Sequence, residues 1–202
     1  MAILNVNPTR MEQKRLSERL QVATRGHTLL KEKQDSLIRK FMSLIDQAKN
    51  KRRGVEDRMG KLFVSYQEAS IISDDQVLQQ SLNATEQRME VAIKLTSILG
   101  IKVPKMSLVE KAATEEAQSY FLTPGELDII QEMSKEVSQE VIELAAIEKQ
   151  CFLLGEEIIA TRRRVNSLEF KTIPDLEETI HYIKMKIEDT ERSQIAKMIK
   201  LK

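Results

Sequence analysis

From Leu16 the stripe of apolar, small or weakly polar positions runs Leu16, Leu20, Ala23, His27, Leu30, Gln34, Leu37, Phe41, Leu44 and Ala48, an alternation of four and three. That period keeps one face of a helix turned toward a partner, and it predicts a coiled coil held for more than four heptads. The stripe stalls at Asn50–Arg53 and resumes at Val55, Met59, Leu62 and Tyr66, displaced by about one position, which predicts a local unwinding of the supercoil. Pro8 and the Thr9-x-x-Glu12 spacing predict the helix start: Thr9 caps an orphan amide and Glu12 reaches back to complete a capping box.

A second long helix is predicted from Thr123-Pro124-Gly125-Glu126, which places a capping hydroxyl, a first-turn proline and a box-closing glutamate in order. Its stripe reads Leu127, Ile130, Ser134, Val137, Val141, Leu144, Cys151, Leu154, Ile158, Thr161, Val165 and Leu168. It resumes beyond Pro174 as Leu176, Ile180, Ile183, Ile187 and Thr190. Proline lacks the donor and crowds the preceding turn, so a kink or short break is expected near Lys171–Ile173, with helix continuing after it. Between the two helices the period changes to two: Met89, Val91, Ile93 and Leu95 alternate with Glu90, Ala92, Lys94 and Thr96, and Ile101-Lys102-Val103 repeats the alternation after Gly100. A β-hairpin turning near Ser97–Gly100 is predicted, with a projecting helix end as the competing reading. The expected fold is therefore all-α dominated, a long antiparallel two-helix coiled coil with a small central β-hairpin or short-helix insert. Its segments are an N-terminal coiled-coil helix over 1–84, the insert over 85–123 and a C-terminal coiled-coil helix over 124–202.

Composition sharpens this picture. Six Gly and four Pro in 202 residues leave few bends, and aromatics at 4% with no Trp leave little of the large-area material of a compact core. The formal net charge of +1 conceals a division: residues 1–60 carry +7, 61–123 carry −2 and 124–202 carry −4. Opposite charge favours pairing of the two ends, and it weakens the case for nucleic acid, whose binders keep an unpaired basic face. No run approaches the ~18 apolar residues of a membrane span, so no direct membrane insertion is expected. The first ten residues lack the long apolar run of a signal peptide, which predicts an intracellular protein.

The chemical inventory is short. Gly54 and Gly60-Lys61 superficially suggest a phosphate-binding loop, but five residues separate the glycines and Leu62 stands where a Ser or Thr is required. His27 and His181 lack clustered acid or Cys companions and read as packing or surface residues. The single cysteine, Cys151, lies among Leu153, Leu154 and Ile158 and reads as a small core residue. No catalytic residue, cofactor site or metal site is expected. Gly26 interrupts a helix at about 1 kcal/mol relative to Ala, so it is either merely tolerated or assigned to close helix packing. Arg162, Arg163 and Arg164 cannot all face the partner helix; at least one points toward solvent or an acidic partner. The basic run from Arg192 to Lys202 contains no acid and suits the dipole of a helix C-terminus.

Asn5-Val6-Asn7-Pro8-Thr9-Arg10, followed by Ala23-Thr24-Arg25-Gly26-His27 and Leu29-Leu30-Lys31-x-Lys33-x-Asp35-x-Leu37, resembles the N-terminal helix of the D-subunit family of V-type (A/V-type) rotary ATPases. Thr161-Arg162-Arg163-Arg164-Val165-Asn166-x-Leu168-Glu169, Ile173-Pro174-x-Leu176-Glu177-x-Thr179-Ile180-x-Tyr182-Ile183 and Glu191-Arg192 resemble its C-terminal helix, and Val103-Pro104 is similar to its central segment. The resemblance implies a non-catalytic central-stalk rotor shaft that couples ATP turnover to ion transport, proton or sodium. It implies partners as well: the A- and B-type subunits of the catalytic and nucleotide-binding ring, the small F subunit of the stalk and the funnel subunit on the membrane rotor ring. The implied location is peripheral, on the cytoplasmic face of the membrane. On that basis Arg10, Arg25, Arg162, Arg163, Arg164 and Arg192 are the ring-contact candidates. Val91, Ile93, Leu95, Ile101 and Val103 are the stalk-partner candidates. The heptads alone also fit a stand-alone structural or tethering coiled coil.

Overall fold

A computed structural model describes residues 6–72, 89–110 and 126–201. Helix α1 spans Arg10–Ile72, strands β1 and β2 span Met89–Ile98 and Ile101–Glu110, and helix α2 spans Glu126–Ser167. A π-helical turn, Leu168–Thr172, leads into helix α3, Ile173–Lys200. The segment boundaries expected at 84/85 and 123/124, and the Thr123-Pro124-Gly125 cap, lie outside the described residues. The chain divides into two compact units, Met1–Arg39 with Glu156–Lys202 and Lys40–Gly155.

In the first unit α1 opens at the predicted cap, where the amide of Glu12 donates to Thr9 Oγ1 at 3.3 Å. The Glu12 carboxylate pairs with Arg15 at 3.5 Å, and the Thr9 amide donates to the Asn7 carbonyl. Only the hydroxyl half of the expected box is therefore used. Leu16, Leu176 and Ile183 form a buried core flanked by Leu20, Ala23, Ile180 and Ile187, all of them predicted stripe positions. Pairing across the helices is antiparallel: Arg10 bonds Glu191, His27 Nε2 lies 3.4 Å from Glu169 Oε2, and Lys33 Nζ lies 3.0 Å from Glu157 Oε1.

The break expected at Lys171–Ile173 is instead a π turn. The alternation Thr161, Val165, Leu168 projects next to 172, 175, 179, 182 and 186. After the turn Leu176, Ile180, Ile183 and Ile187 face inward, each one residue later than projected, with Thr179 and Tyr182 at projected positions beside them. A π turn takes one more residue than an α turn, so it absorbs the extra residue without rotating the stripe away from α1. Within it the amide of Ile173 donates to the Leu168 carbonyl, and Thr172 Oγ1 donates to the Ser167 carbonyl at 3.2 Å. Pro174 then falls in the first turn of α3, where a missing donor costs least.

Two threonines in this core behave differently. Thr179 is buried and donates to the Asp175 carbonyl at 2.6 Å, whereas Thr161 is equally buried and its Oγ1 has no partner among the described residues.

In the second unit Val55, Leu62 and Tyr66 of the expected stripe are buried or half-buried, while Met59 is exposed. Continuing four and three from Ala48 without a slip gives Lys51, Val55, Arg58, Leu62, Ser65 and Ala69, of which Arg58 is exposed as well. Val55, Leu62 and Ala69 fit either phase, and α1 runs through the stall as continuous α-helix. Lys51 bonds Glu143, and Arg58 Nη1 lies 2.6 Å from Glu140 Oε1, so both cations meet acids of α2. Arg52 pairs with Glu148 at 2.6 Å beside them. Farther along, Ala69 and Ile130 form a small core with Leu62 and Tyr66.

The hairpin is a two-stranded antiparallel sheet in which Ile98 faces Ile101 and Met89 faces Glu110. Leu99 and Gly100 both have positive φ, 51° and 85°, the twist-matched two-residue turn that needs a left-handed backbone at both positions. Glycine accepts this conformation freely; Leu99 bears strain there. Val103 and Pro104 are buried, and Gln150 Nε2 of α2 donates to the Pro104 carbonyl at 3.0 Å, which fixes β2 to the helix.

Four outcomes follow from these contacts. Removal of Phe170 together with Pro174→Ala converts the π turn to continuous α-helix in phase, so cooperative thermal unfolding is retained. Removal of Glu156, in the regular helix before the turn, rotates the following stripe outward and lowers the unfolding temperature by more than about 10 °C or abolishes the transition. Thr161→Val, nearly isosteric, relieves a buried unpaired hydroxyl and stabilises by about 1 kcal/mol in denaturant titration. The hydrogen bond from Lys51 holds the Glu143 carboxyl below its ordinary range, against the opposing effect of burial. Its stabilisation is complete above about pH 4.3, the ordinary glutamate value, and is lost as pH falls through the lower native value. Glu143→Gln should accordingly flatten the acid limb of the stability–pH curve measured by urea unfolding.

Candidate functional site

The six arginines singled out above all lie in the first unit. Arg25, Arg162, Arg163, Arg164 and Arg192 are exposed, and none of the ion pairs between described residues engages them. Arg10 is also exposed but is tied to Glu191, whose carboxylate raises the guanidinium pKa further. The outward positions of Arg162–Arg164 follow from helix geometry: the neighbouring Thr161 and Val165 occupy the buried stripe, so Arg163 points to the opposite face and Arg162 and Arg164 to the two flanks. The last turns of α3 add exposed Ile195, Met198, Ile199 and Leu201 beside Arg192, Lys197 and Lys200.

Among the described residues Gly26 does not serve close packing. A Cβ built on it meets no atom within 4 Å, so its lack of a side chain is not required by α2 or α3. Pro174 sits just after the π turn rather than at an open break, as described above.

The hairpin has two unlike faces. The register places Val91 opposite Leu108, Ile93 opposite Met106 and Leu95 opposite Pro104. Val91, Ile93 and Leu95 are exposed, with Met106 and Leu108 half-buried beside them, so this side is an apolar surface. Val103 lies on the other side and is fully buried, which removes it from the stalk-partner candidates: its side chain is spent on the chain's own core. Ile101 is half-buried. Met106 and Leu108 lie beyond the stalk-partner candidates, which end at Val103. Their alternation with Lys105 and Ser107 carries the same period-two signal.

The remaining chemistry has no catalytic arrangement among the described residues. Gly54, Gly60 and Lys61 lie inside α1, where a helical backbone turns its amides along the axis rather than into a phosphate cradle. No group of three or more His, Cys, Asp or Glu side chains among the described residues could hold a metal ion, and no described helix is long and apolar enough to cross a membrane. Cys151 is half-buried, and burial followed by the nearby Glu148 charge pushes its thiol pKa up. This is the opposite of what an activated nucleophile needs.

Comparison with known proteins agrees with the residues quoted from both helices. Residues 12–202 match the family model of the ATP synthase D subunit. The V-type ATP synthase D subunit of Enterococcus faecalis is 40% identical over 205 residues, covering 100% of this chain and 97% of the relative. The protein of the same name from Clostridium novyi is 38% identical, covering 100% and 95%. One from Clostridium botulinum is also 38% identical, covering 98% and 94%. With its paired N- and C-terminal helices, its central hairpin and this full-length similarity, the chain belongs to the ATP synthase D-subunit family and is a component of a V-type ATPase complex.

Proposed function

We propose that this chain is the non-catalytic rotor shaft of its complex, coupling ATP turnover in a ring of alternating A- and B-type subunits to rotation of a membrane ring and to ion transport. The observation that carries this reading is the first unit itself, a two-helix antiparallel coiled coil whose inward face is satisfied by its own partner helix while five arginines remain exposed without a described ion pair. Such a body has no threefold symmetry. Placed in a pseudo-threefold ring it presents a different face to each catalytic site, and the sites then differ in nucleotide affinity. A 100-fold difference corresponds to about 2.7 kcal/mol, and by reciprocity the same coupling lets ordered turnover drive the shaft round.

In this reading the ring contacts are Arg10, Arg25, Arg162, Arg163, Arg164 and Arg192. The second unit, with the apolar hairpin side of Val91, Ile93 and Leu95, takes the small F subunit of the stalk, and the lower shaft meets the funnel subunit on the membrane rotor ring. The chain is peripheral, on the cytoplasmic face of the membrane, and its chemistry is mechanical: hydrolysis belongs to the ring. Arg163→Ala with Arg164→Ala is expected to leave the helical circular dichroism unchanged while lowering ATPase activity of the reconstituted complex several-fold. Unchanged activity would remove these two residues from the ring interface.

A further inference from the structure

Gly26 and Arg164 occupy equivalent places on the two helices. Lys33 and Glu157 meet at 3.0 Å on one flank of the seam. One heptad toward the start of α1 from Lys33 is Gly26, and one heptad toward the end of α2 from Glu157 is Arg164. Antiparallel helices carry flank position to flank position, so the site that holds an ion pair one heptad away here holds a guanidinium facing a residue with no side chain.

The notch this leaves has walls. Val22 and Leu29 stand one turn to either side of Gly26 on the same helix face, at i−4 and i+3, and are 70% and 65% exposed. These two outward apolar residues bracket the open glycine on a helix whose seam is already filled. Glycine lowers helix stability by about 1 kcal/mol relative to Ala, and with no atom within 4 Å of its Cβ position nothing inside the chain recovers that cost. The charge is one-sided as well: Arg164 and its sequence neighbours Arg162 and Arg163, like Arg25 beside Gly26 in the sequence, are exposed without a described ion pair, and the flank's acid, Glu157, is taken by Lys33.

We propose that the Val22–Gly26–Leu29 notch is the seat for a carboxylate-bearing segment of a ring subunit. Its acid pairs with Arg164, its backbone passes over Gly26, and its apolar side chains rest on Val22 and Leu29. The seat rests on the shaft reading above and narrows it to one contact. Complementary charge selects an acidic occupant, and the missing Cβ sets how near its backbone comes.

The test uses the full chain and the purified catalytic ring, with ring affinity measured by surface-immobilised binding and chain integrity by thermal unfolding. Gly26→Glu supplies Arg164 with an internal partner and fills the notch. It should unfold at or above the wild-type temperature yet bind the ring at least tenfold more weakly. Arg164→Glu should show a similar loss, and Val22→Ser with Leu29→Ser a several-fold loss. If Gly26→Glu disturbs folding, Arg164→Glu decides. Affinities within threefold of wild type for both charge variants, with wild type binding normally, overturn the seat and leave the shaft reading standing. A wild-type chain that does not bind the ring overturns the shaft reading, and the seat with it. Arg164-dependent binding of ATP or inorganic phosphate by the chain alone, with ring affinity unaffected by the variants, assigns the notch to a free anion and also overturns it.

Discussion

A two-helix seam buries a single stripe of each helix, so the phase of that stripe is the constraint on which the rest of this structure depends. A globular core tolerates a misplaced side chain by repacking in three dimensions. Here a one-residue slip rotates the following stripe by about 100° and turns it to solvent. Each irregularity in the chain keeps the phase by a different device. Where the stripe of α1 stalls, Lys51 and Arg58 reach Glu143 and Glu140, and the helix runs on unbroken. After Leu168 the sequence carries one residue too many, and a π turn takes it up so that Leu176 and Ile183 return to the core.

Charge does a different task from the apolar stripe. Each of the five interhelical Lys or Arg ion pairs described, like the His27–Glu169 contact, places the base on α1 and the acid on α2, the π turn or α3. Exposed pairs of this kind contribute only about 0.2–1 kcal/mol each, too little to explain why the helices associate. They do discriminate between arrangements, because α1 against a second α1 would set cation against cation. The same sorting that directs α1 toward the C-terminal helices leaves Arg25, Arg162, Arg163 and Arg164 with no acid to meet among the described residues.

Much of the fold was legible in the sequence because its signals are local and periodic. The stripe from Leu16 to Ala48 is inward or half-inward at every predicted position, the Thr9 cap forms, and the hairpin turns within the predicted span. The misreadings share a physical cause. An apolar period cannot register how Lys51 and Arg58 meet α2, because each pairing depends on an acid from a distant part of the chain arriving opposite it. The proline flagged a disturbance near Lys171, but its form was set by the count of residues between Leu168 and Leu176, which helix breakers do not encode. Val103 and Val91 have the same local pattern, and only the packing of β2 on α2 separates the buried one from the exposed one. Gly26 carried a signal of cost but not of cause, since the open space beside it depends on where α2 and α3 lie.

In the shaft reading, the exposed arginines of the first unit and the exposed apolar strand of the second suit different kinds of contact. A contact that must be made and released as a shaft rotates is better built mainly from exposed charge, which steers association and is screened by water, than from an extensive apolar area that would have to be desolvated anew at each step. Arg25 and Arg162–Arg164 supply that kind of surface on the first unit. A partner that turns with the shaft has no such restriction and gains from burying apolar surface once and keeping it buried. Val91, Ile93 and Leu95, exposed on the hairpin side turned away from Val103, supply that second kind. In the shaft reading the outward charge of one unit and the outward apolar strand of the other are therefore two answers to one mechanical question, whether a contact moves relative to the chain or with it.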